Sequence, residues 1–174
     1  MRNFYDYYPN VKAEKIGTRN TAFYAFCRRT LENGEKVVAY VEERGTPYRL
    51  TATGNTVTVY IAKSKYNTYT ITEESTGLAL NSFDTLKQAV DSLMMNGNEY
   101  HEKYGNTHNH IATKWSILLT GMLLGLKSNY REKYVVITAT GEIKEISDYP
   151  AEIQEKFFTN ALNNGYGSAR KKTA

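Results

Sequence analysis

The chain has 174 residues, of which 41% are hydrophobic, and it carries a formal net charge of +4. This length supports one substantial core and leaves little room for two full domains. The single cysteine, Cys27, excludes an internal disulfide framework and suits a reducing cytoplasm.

The sequence shows no segment that would insert into a membrane. The first ten residues lack the apolar region of a signal peptide. The longest apolar run, residues 115–126, is much shorter than the ~20 residues that span a bilayer. We therefore expect a soluble, cytoplasmic protein without a membrane partner.

The positive charge is concentrated at the two ends of the chain. Residues 1–29 carry six basic and two acidic side chains, whereas residues 30–169 carry 13 basic and 16 acidic ones. The last five residues add three basic side chains. Charged ends can act as electrostatic arms for an anionic partner, or they can simply be solvated.

The first half of the chain predicts an antiparallel sheet. After an irregular segment over residues 1–20, apolar residues alternate over 21–31 and recur over 36–42, with Asn33-Gly34 between them. Asn-Gly between two apolar runs favours a β-hairpin, because both turn residues need a positive φ. The alternative for residues 21–31 is a short helix.

The predicted sheet continues with three further strands and a short return strand. They follow a turn over 45–47 and cover residues 48–52, 57–62, 68–72 and 78–80. The period-two alternation of Val57, Val59 and Ile61 is typical of a half-buried strand. Residues 21–81 therefore predict a meander of about six strands.

A helix is predicted directly after this meander. Asp84 can cap it by accepting a hydrogen bond from a backbone N–H, and Asn96-Gly97 can end it in the left-handed conformation. Its apolar stripe comprises Leu86, Ala89, Val90, Leu93 and Met94. The sheet face and the stripe can bury each other because they are adjacent in sequence.

The second half of the chain predicts helices around one further hairpin. Residues 98–110 are a linker or one short helix, and residues 111–126 are an apolar helix. A hairpin follows over 134–146, and a last helix begins at Pro150. A homodimer contact is possible on the second helix, at Leu118, Gly121, Met122 and Gly125.

Together these elements predict an α+β fold, an antiparallel β-meander of about six strands packed by two or three helices, plus a C-terminal hairpin and helix. Residues 1–97 hold an N-terminal arm, the meander and the first helix. Residues 98–174 hold the helical part, the hairpin, the last helix and a basic tail. We expect the two parts to form one compact unit.

Three histidines within ten residues are the candidate catalytic groups. His101, His108 and His110 lie near Glu102, and a histidine pair can act as general acid and base in cleaving RNA. Their spacing matches no rigid metal-ligand pattern, and the surrounding Asn and Gly residues are typical of a solvated connector. No metal or cofactor is predicted, and an enzyme, if this is one, would be a ribonuclease.

Basic and tyrosine side chains predict a surface for nucleic acid or a nucleoprotein. The candidate binding residues are Arg28, Arg29, Lys63, Lys65, Tyr66, Arg170, Lys171 and Lys172. Lys63 and Lys65 alternate with Ser64 at a strand end, so they project to the same side. A basic patch beside aromatic rings suits single strands or folded RNA.

Residues 65–71 (KYNTYTI), 75–78 (STGL) and 83–90 (FDTLKQAV) form a strand, a Thr-Gly turn, a strand and a helix. This pattern resembles small accessory proteins of Gram-positive phages and conjugative elements. Such proteins are similar in size and style to anti-restriction and anti-CRISPR inhibitors, which bind a defence nuclease, its guide RNA, or both. The matched positions are turn, cap and core residues, so the resemblance implies no functional residue.

Three functions are compatible with this sequence. The first is a mobile-element protein that inhibits a host defence by binding an RNA-guided nuclease, a restriction enzyme or the RNA itself. The second is a small ribonuclease that cleaves guide RNA with the histidine segment. The third is a homodimeric structural accessory protein. The charged ends, the 15 tyrosines and the resemblance of the strand–turn–strand–helix segment favour the first. The resemblance implies the cytoplasm of a bacterial host.

Overall fold

A computed structural model describes residues 4–75, 77–120, 133–145 and 148–150. The fold is α+β, as predicted. The chain divides into two compact units. The first comprises Met1–Thr21, Arg44–Glu73 and Ala79–Leu119, and the second comprises Ala22–Glu43, Glu74–Leu78 and Thr120–Ala174.

The first unit contains an antiparallel sheet. Its strands are β1 (Lys12–Lys15), residues 44–52 of β3 (Lys36–Ala52), β4 (Asn55–Lys63), β5 (Tyr69–Glu73) and β6 (Ala79–Phe83). Each neighbouring pair is antiparallel, in the order β1-β3-β4-β5-β6. Its three central strands, β3, β4 and β5, form because their apolar residues alternate with polar ones and because short turns connect them.

Three helices accompany this sheet, namely α1 (Leu86–Met94), α2 (Gly97–Tyr104) and α3 (Ile111–Thr120), and a 3₁₀ turn, Phe4–Asp6, precedes β1. Tyr48 lies opposite Val59, and Ile61 lies opposite Ile71, so these side chains share one sheet face. The helices bury that face in a core of Val11, Tyr48, Leu50, Ala52, Val59, Ile61, Ile71, Phe83, Ala89, Leu93, Ile111, Ala112, Trp115 and Leu118.

The second unit is built on residues 22–30 of β2 (Thr21–Thr30), residues 36–43 of β3, β7 (Lys133–Ile137) and β8 (Ile143–Glu145). The hairpins predicted over residues 21–42 and 134–146 are confirmed. The positive φ expected at both Asn33 and Gly34 is found at Gly34 alone. β2 pairs with β3 across a turn in which Gly34 has φ 82°, so the helical alternative for residues 21–31 is wrong. β7 pairs in parallel with β3, a long-range contact that local patterns do not reveal.

The turn predicted over residues 45–47 is wrong, because β3 runs through it without a break. Thr46 pairs with Ile61 and Pro47 pairs with Tyr60. The Pro47 carbonyl accepts a hydrogen bond from the backbone N–H of Ile16, 3.0 Å away, on the side opposite β4. The proline nitrogen faces that side too, where β1 has ended, so its missing N–H removes no bond to β4. Residues 21–81 consequently form five strands.

The predicted boundaries of α1 are also corrected. Thr85, not Asp84, is its N-cap, since the Thr85 hydroxyl accepts a bond from the Gln88 backbone N–H at 3.1 Å. Asn96 does not end α1 in a left-handed turn. It caps α2, its side-chain oxygen accepting from the Glu99 N–H at 2.9 Å. The short helix offered for residues 98–110 is thus confirmed, with a left-handed stop at Gly105.

Several predicted features lie outside the described residues. They are the end of the second apolar helix (121–126, with Gly121, Met122 and Gly125), the helix after Pro150, and the basic tail. Leu118 is described, and it is buried in the core of its own chain, with 6% of its surface exposed.

Gly77 gives a test of the packing in the second unit. Its φ is +72°, and a Cβ there would lie 2.9 Å from both the Phe26 nitrogen and the Tyr24 oxygen. We expect Gly77→Ala to lower the free energy of unfolding by more than the ~1–3 kcal/mol typical of a strained φ, because backbone atoms must also move. Urea denaturation measures this change.

The matched control is Gly54→Ala, since Gly54 has φ +78° but no atom within 4 Å of an added Cβ. It isolates the cost of the positive φ. Equal losses in the two variants would contradict a role for the close contact at Gly77.

Candidate functional site

The first unit contains a half-open groove of about 460 Å³. Its lining comes from the turn before β2, from β3, β4 and β5, and from the start of α1, and comprises Arg19, Asn20, Arg44, Gly45, Thr46, Ile61, Ala62, Lys63, Tyr69 and Leu86. We call it the basic groove: Arg19, Arg44 and Lys63 are its cationic rim, and Ile61, Ala62, Tyr69 and Leu86 are its apolar floor. None of the described residues that line it is acidic.

A compact turn presents Arg19. The backbone N–H of Thr21 donates to the Thr18 carbonyl at 3.2 Å, and the Thr21 hydroxyl donates to the same oxygen at 2.8 Å. Gly17 lets this turn approach β3, because a Cβ on Gly17 would lie 2.7 Å from a Pro47 ring carbon. The position of Arg19 therefore depends on the turn and on the missing side chain at Gly17.

Arg44 is tied to the same turn. Its Nη1 donates to the Asn20 carbonyl at 2.8 Å, across 24 residues of sequence. One bond uses a single N–H of a guanidinium that has five. The ion pairs found in the described part of the chain involve none of the three rim cations. Arg44 can therefore bond an incoming anion while the Asn20 carbonyl holds its orientation.

Sheet register brings Lys63 beside the floor. Lys63 is the last residue of β4 and lies directly opposite Tyr69, the first residue of β5. Cross-strand partners project from the same sheet face with Cβ atoms ~4.5–5.5 Å apart. Lys63 is exposed and Tyr69 is half-buried against the core, so a lysine and a partly covered aromatic residue occupy neighbouring positions on this face.

The turn between β4 and β5 adds a second cation and a second ring. The Ser64 hydroxyl lies 2.7 Å from the Thr68 hydroxyl and accepts from the Tyr66 backbone N–H at 3.1 Å. This turn projects Tyr66, which is 75% exposed, and the Lys65 ammonium lies 5.0 Å from its ring centre. That distance is within the range of a cation–π interaction.

Leu86 completes the floor. It is the first residue of α1 and 49% exposed, although Ala89 and Leu93 on the same helix are buried. An exposed leucine taken alone is common. Leu86 lines the same groove as half-buried Tyr69 and three cations, which makes the groove amphipathic. This combination suits a ligand with both an anionic and an apolar part.

The structure brings together only some of the predicted binding residues. Lys63 lies in the groove, and Lys65 and Tyr66 lie on the turn that follows it. Arg28 and Arg29 belong to β2 in the other unit, and Arg170, Lys171 and Lys172 lie outside the described residues. Sequence reasoning missed Arg19 and Arg44. The one local pattern that could have pointed to Arg19 is its place in the turn-forming sequence Gly-Thr-Arg-Asn.

The histidine segment was predicted to be a solvated connector, and this prediction is wrong for His110. His110 is 1% exposed, and its Nε2 donates to the Met95 carbonyl at 2.6 Å while its Nδ1 accepts from the Ala112 backbone N–H at 3.2 Å. This pattern requires a neutral ring. His101 and His108 are exposed, as is Glu102 on α2. No group of three His, Cys, Asp or Glu residues within the described ranges could hold a metal ion.

Asp91 forms a second polar cluster, between α1 and α2. Its Oδ2 accepts bonds from the Tyr104 hydroxyl at 2.5 Å, the Lys103 ammonium at 2.8 Å and the Lys87 ammonium at 3.4 Å. Burial alone would raise the pKa of Asp91, but these donors outweigh it, and the pKa is lowered. Because the carboxylate is buried and its donors come from both helices, we interpret the cluster as a structural link.

No protein-family model, curated protein or solved structure matches this chain. None of the helices in the described segments combines the length and the apolar character that crossing a membrane requires.

The neutral state of His110 predicts a pH dependence of stability. Burial, the larger effect, lowers its pKa below the ordinary 6.5, although the bond to Met95 raises it. As the pH falls below that ordinary value, the unfolded chain takes up the proton first, so the free energy of unfolding decreases. We expect His110→Asn to remove this part of the decrease between pH 7 and pH 5 in denaturation experiments.

His101→Asn is the control, because His101 is exposed on α2. It makes the same substitution at an exposed position, so a change of slope that only His110→Asn shows is due to the buried ring. If His110→Asn keeps the wild-type slope of unfolding free energy against pH, the ring does not stay neutral in the folded protein.

Proposed function

We propose that the protein binds the phosphate backbone of RNA, free or held in a nucleoprotein, through the basic groove and the adjoining Lys65–Tyr66 turn. The observation that carries the proposal is the convergence of Arg19, Arg44 and Lys63 from three separate elements on one groove. Cations brought together from distant parts of a chain repel one another, so such a cluster is favoured where an anion binds between them.

Local charge supports this proposal better than net charge does. The net charge of +4 is modest for a nucleic-acid-binding protein, and the chain's middle carries an acidic excess. The described groove lining nevertheless contains three cations and no acid. Phosphate contacts depend on such local density, because screening limits charge interactions to ~8–10 Å at physiological salt.

The biological role within this proposal is inhibition of a nucleic-acid-targeting defence system by a mobile-element protein. Support comes from the resemblance carried by residues 65–71, 75–78 and 83–90. The resemblance bears on the class of protein alone, because its matched positions are turn, cap and core residues. The inhibitor would occupy the RNA, or the RNA-binding face of a nuclease complex, and so block its use.

The ribonuclease alternative gains no support from the histidine positions. His110 uses both ring nitrogens within the fold, which leaves His101 and His108 as the exposed histidines of that segment. The homodimer alternative gains none from Leu118, which packs inside its own chain. Among the described features, the basic groove therefore carries the proposal of RNA binding.

Removing a rim cation tests phosphate binding. We expect Arg44→Ala and Lys63→Ala each to weaken RNA binding several-fold at low salt. Each should also reduce the slope of log affinity against log salt by about 0.7, the contribution of one phosphate contact to a single strand. Fluorescence anisotropy over a salt series measures both quantities.

Lys12→Ala is the matched control. It removes the same charge from an exposed position on β1. Lys12 pairs with Thr51 of β3, five residues along that strand from Thr46, which lines the groove. Equal effects of Lys12→Ala and Arg44→Ala would show that net charge, not the groove, binds RNA.

The biological role needs a separate experiment. We expect the tagged protein, expressed in a bacterial host that carries RNA-guided and restriction defences, to co-purify with a defence nucleoprotein, and Arg44→Ala to recover less of it. Mass spectrometry and RNA sequencing identify the bound components. Recovery of neither RNA nor a nucleic-acid enzyme would contradict the proposed role.

A further inference from the structure

The basic groove has a feature that phosphate binding does not need. Below its cationic rim lies an apolar floor, in which Leu86 is 49% exposed and Tyr69 is only half-buried. A site for phosphate alone is typically lined by backbone N–H groups and cations. The floor therefore indicates a ligand that presents an apolar surface next to its negative charge.

We infer that the basic groove receives an unpaired nucleobase on this floor, while the rim binds the adjoining phosphate, and that the protein thereby selects single strands over duplexes. This inference rests on the proposed function and specifies its ligand. A nucleotide in a single strand carries a flat apolar face within a few bonds of a phosphate, and stacking on an aromatic ring is worth ~1–3 kcal/mol per base.

The register of the sheet sets the spacing that such a ligand needs. Lys63 and Tyr69 are direct cross-strand partners and both line the groove, so their side chains leave neighbouring positions on one sheet face. Arg44, whose Nη1 is held by the Asn20 carbonyl, lies on the same rim. A base resting on Tyr69 and Leu86 would keep its phosphate next to these cations.

A duplex cannot use this arrangement. Its base faces are stacked inside the helix, and it presents to the protein its sugar–phosphate backbone and the base edges in its grooves, but no base face. A duplex could therefore reach the rim but not the floor.

The neighbouring ring of Tyr66 could stack on a second base of the bound RNA strand. Tyr66 is 75% exposed on the turn that begins one residue after Lys63. The hydrogen bonds of the Ser64 hydroxyl hold the backbone of this turn, so little backbone freedom is lost on binding. A second base of the same strand could stack there, with Lys65 contacting its phosphate.

The test compares three probes with the intact protein. They are a labelled RNA strand of about 12 nucleotides, within the ~4–16 that small single-strand-binding folds cover, the same strand in a duplex, and an abasic strand of equal length. We expect the single strand to bind at least tenfold more tightly than the duplex. The abasic strand keeps every phosphate, and we expect it to bind about as weakly as the duplex.

Leu86→Ser tests the floor, and Met94→Ser is its matched control. Both residues are exposed apolar side chains of α1, at 49% and 53%, but only Leu86 lines the groove. We expect Leu86→Ser to weaken single-strand binding several-fold without changing the salt slope, and Met94→Ser to bind like the wild type. Arg44→Ala should reduce the salt slope for all three probes.

The outcomes separate this inference from the proposed function. Equal binding of all three probes, with Leu86→Ser indistinguishable from Met94→Ser, would overturn base recognition and leave phosphate binding in place. Failure of every probe to bind would overturn the proposed function and this inference with it.

Discussion

The antiparallel register of β3, β4 and β5 is the constraint on which the basic groove depends. Thr46 opposite Ile61 and Lys63 opposite Tyr69 place cationic and apolar side chains on one face of the sheet. Because side chains alternate with a period of two, a slip of one residue would move Lys63 to the other face. The burial of Ile61 in the core opposes that slip, so the apolar face that stabilises the first unit also positions its charged rim.

The floor of the groove depends in turn on how α1 is held. Ala89 and Leu93 pack α1 on the sheet, and Asp91 connects it to Lys103 and Tyr104 of α2. A buried carboxylate without partners would be costly, whereas this one accepts bonds from donors on both helices. The resulting placement of α1 leaves its first residue, Leu86, at the groove rather than in the core.

The sequence predicts those features that nearest neighbours determine. Alternation at Val57, Val59 and Ile61 and the Asn33-Gly34 pair predict a strand and a hairpin correctly, since both signals act within a few residues. At the start of α1, Asp84 and Thr85 are both good N-caps, and sequence alone does not separate them. The turn predicted at residues 45–47 is wrong. Proline usually breaks a central strand, but Pro47 is tolerated within β3 because its nitrogen faces the side on which β1 ends.

The same reasoning explains why the groove was only partly predicted. Lys63 follows from local alternation, whereas Arg44 reaches the groove because β3 continues past Pro47 and because the Asn20 carbonyl, 24 residues away in sequence, accepts its Nη1 bond. A turn at residues 45–47 would have directed Arg44 elsewhere. His110 shows the converse: its Asn and Gly neighbours are typical of solvent, yet tertiary packing buries the ring. Binding groups contributed by distant elements are therefore specified by the register of the sheet, which a local pattern does not contain.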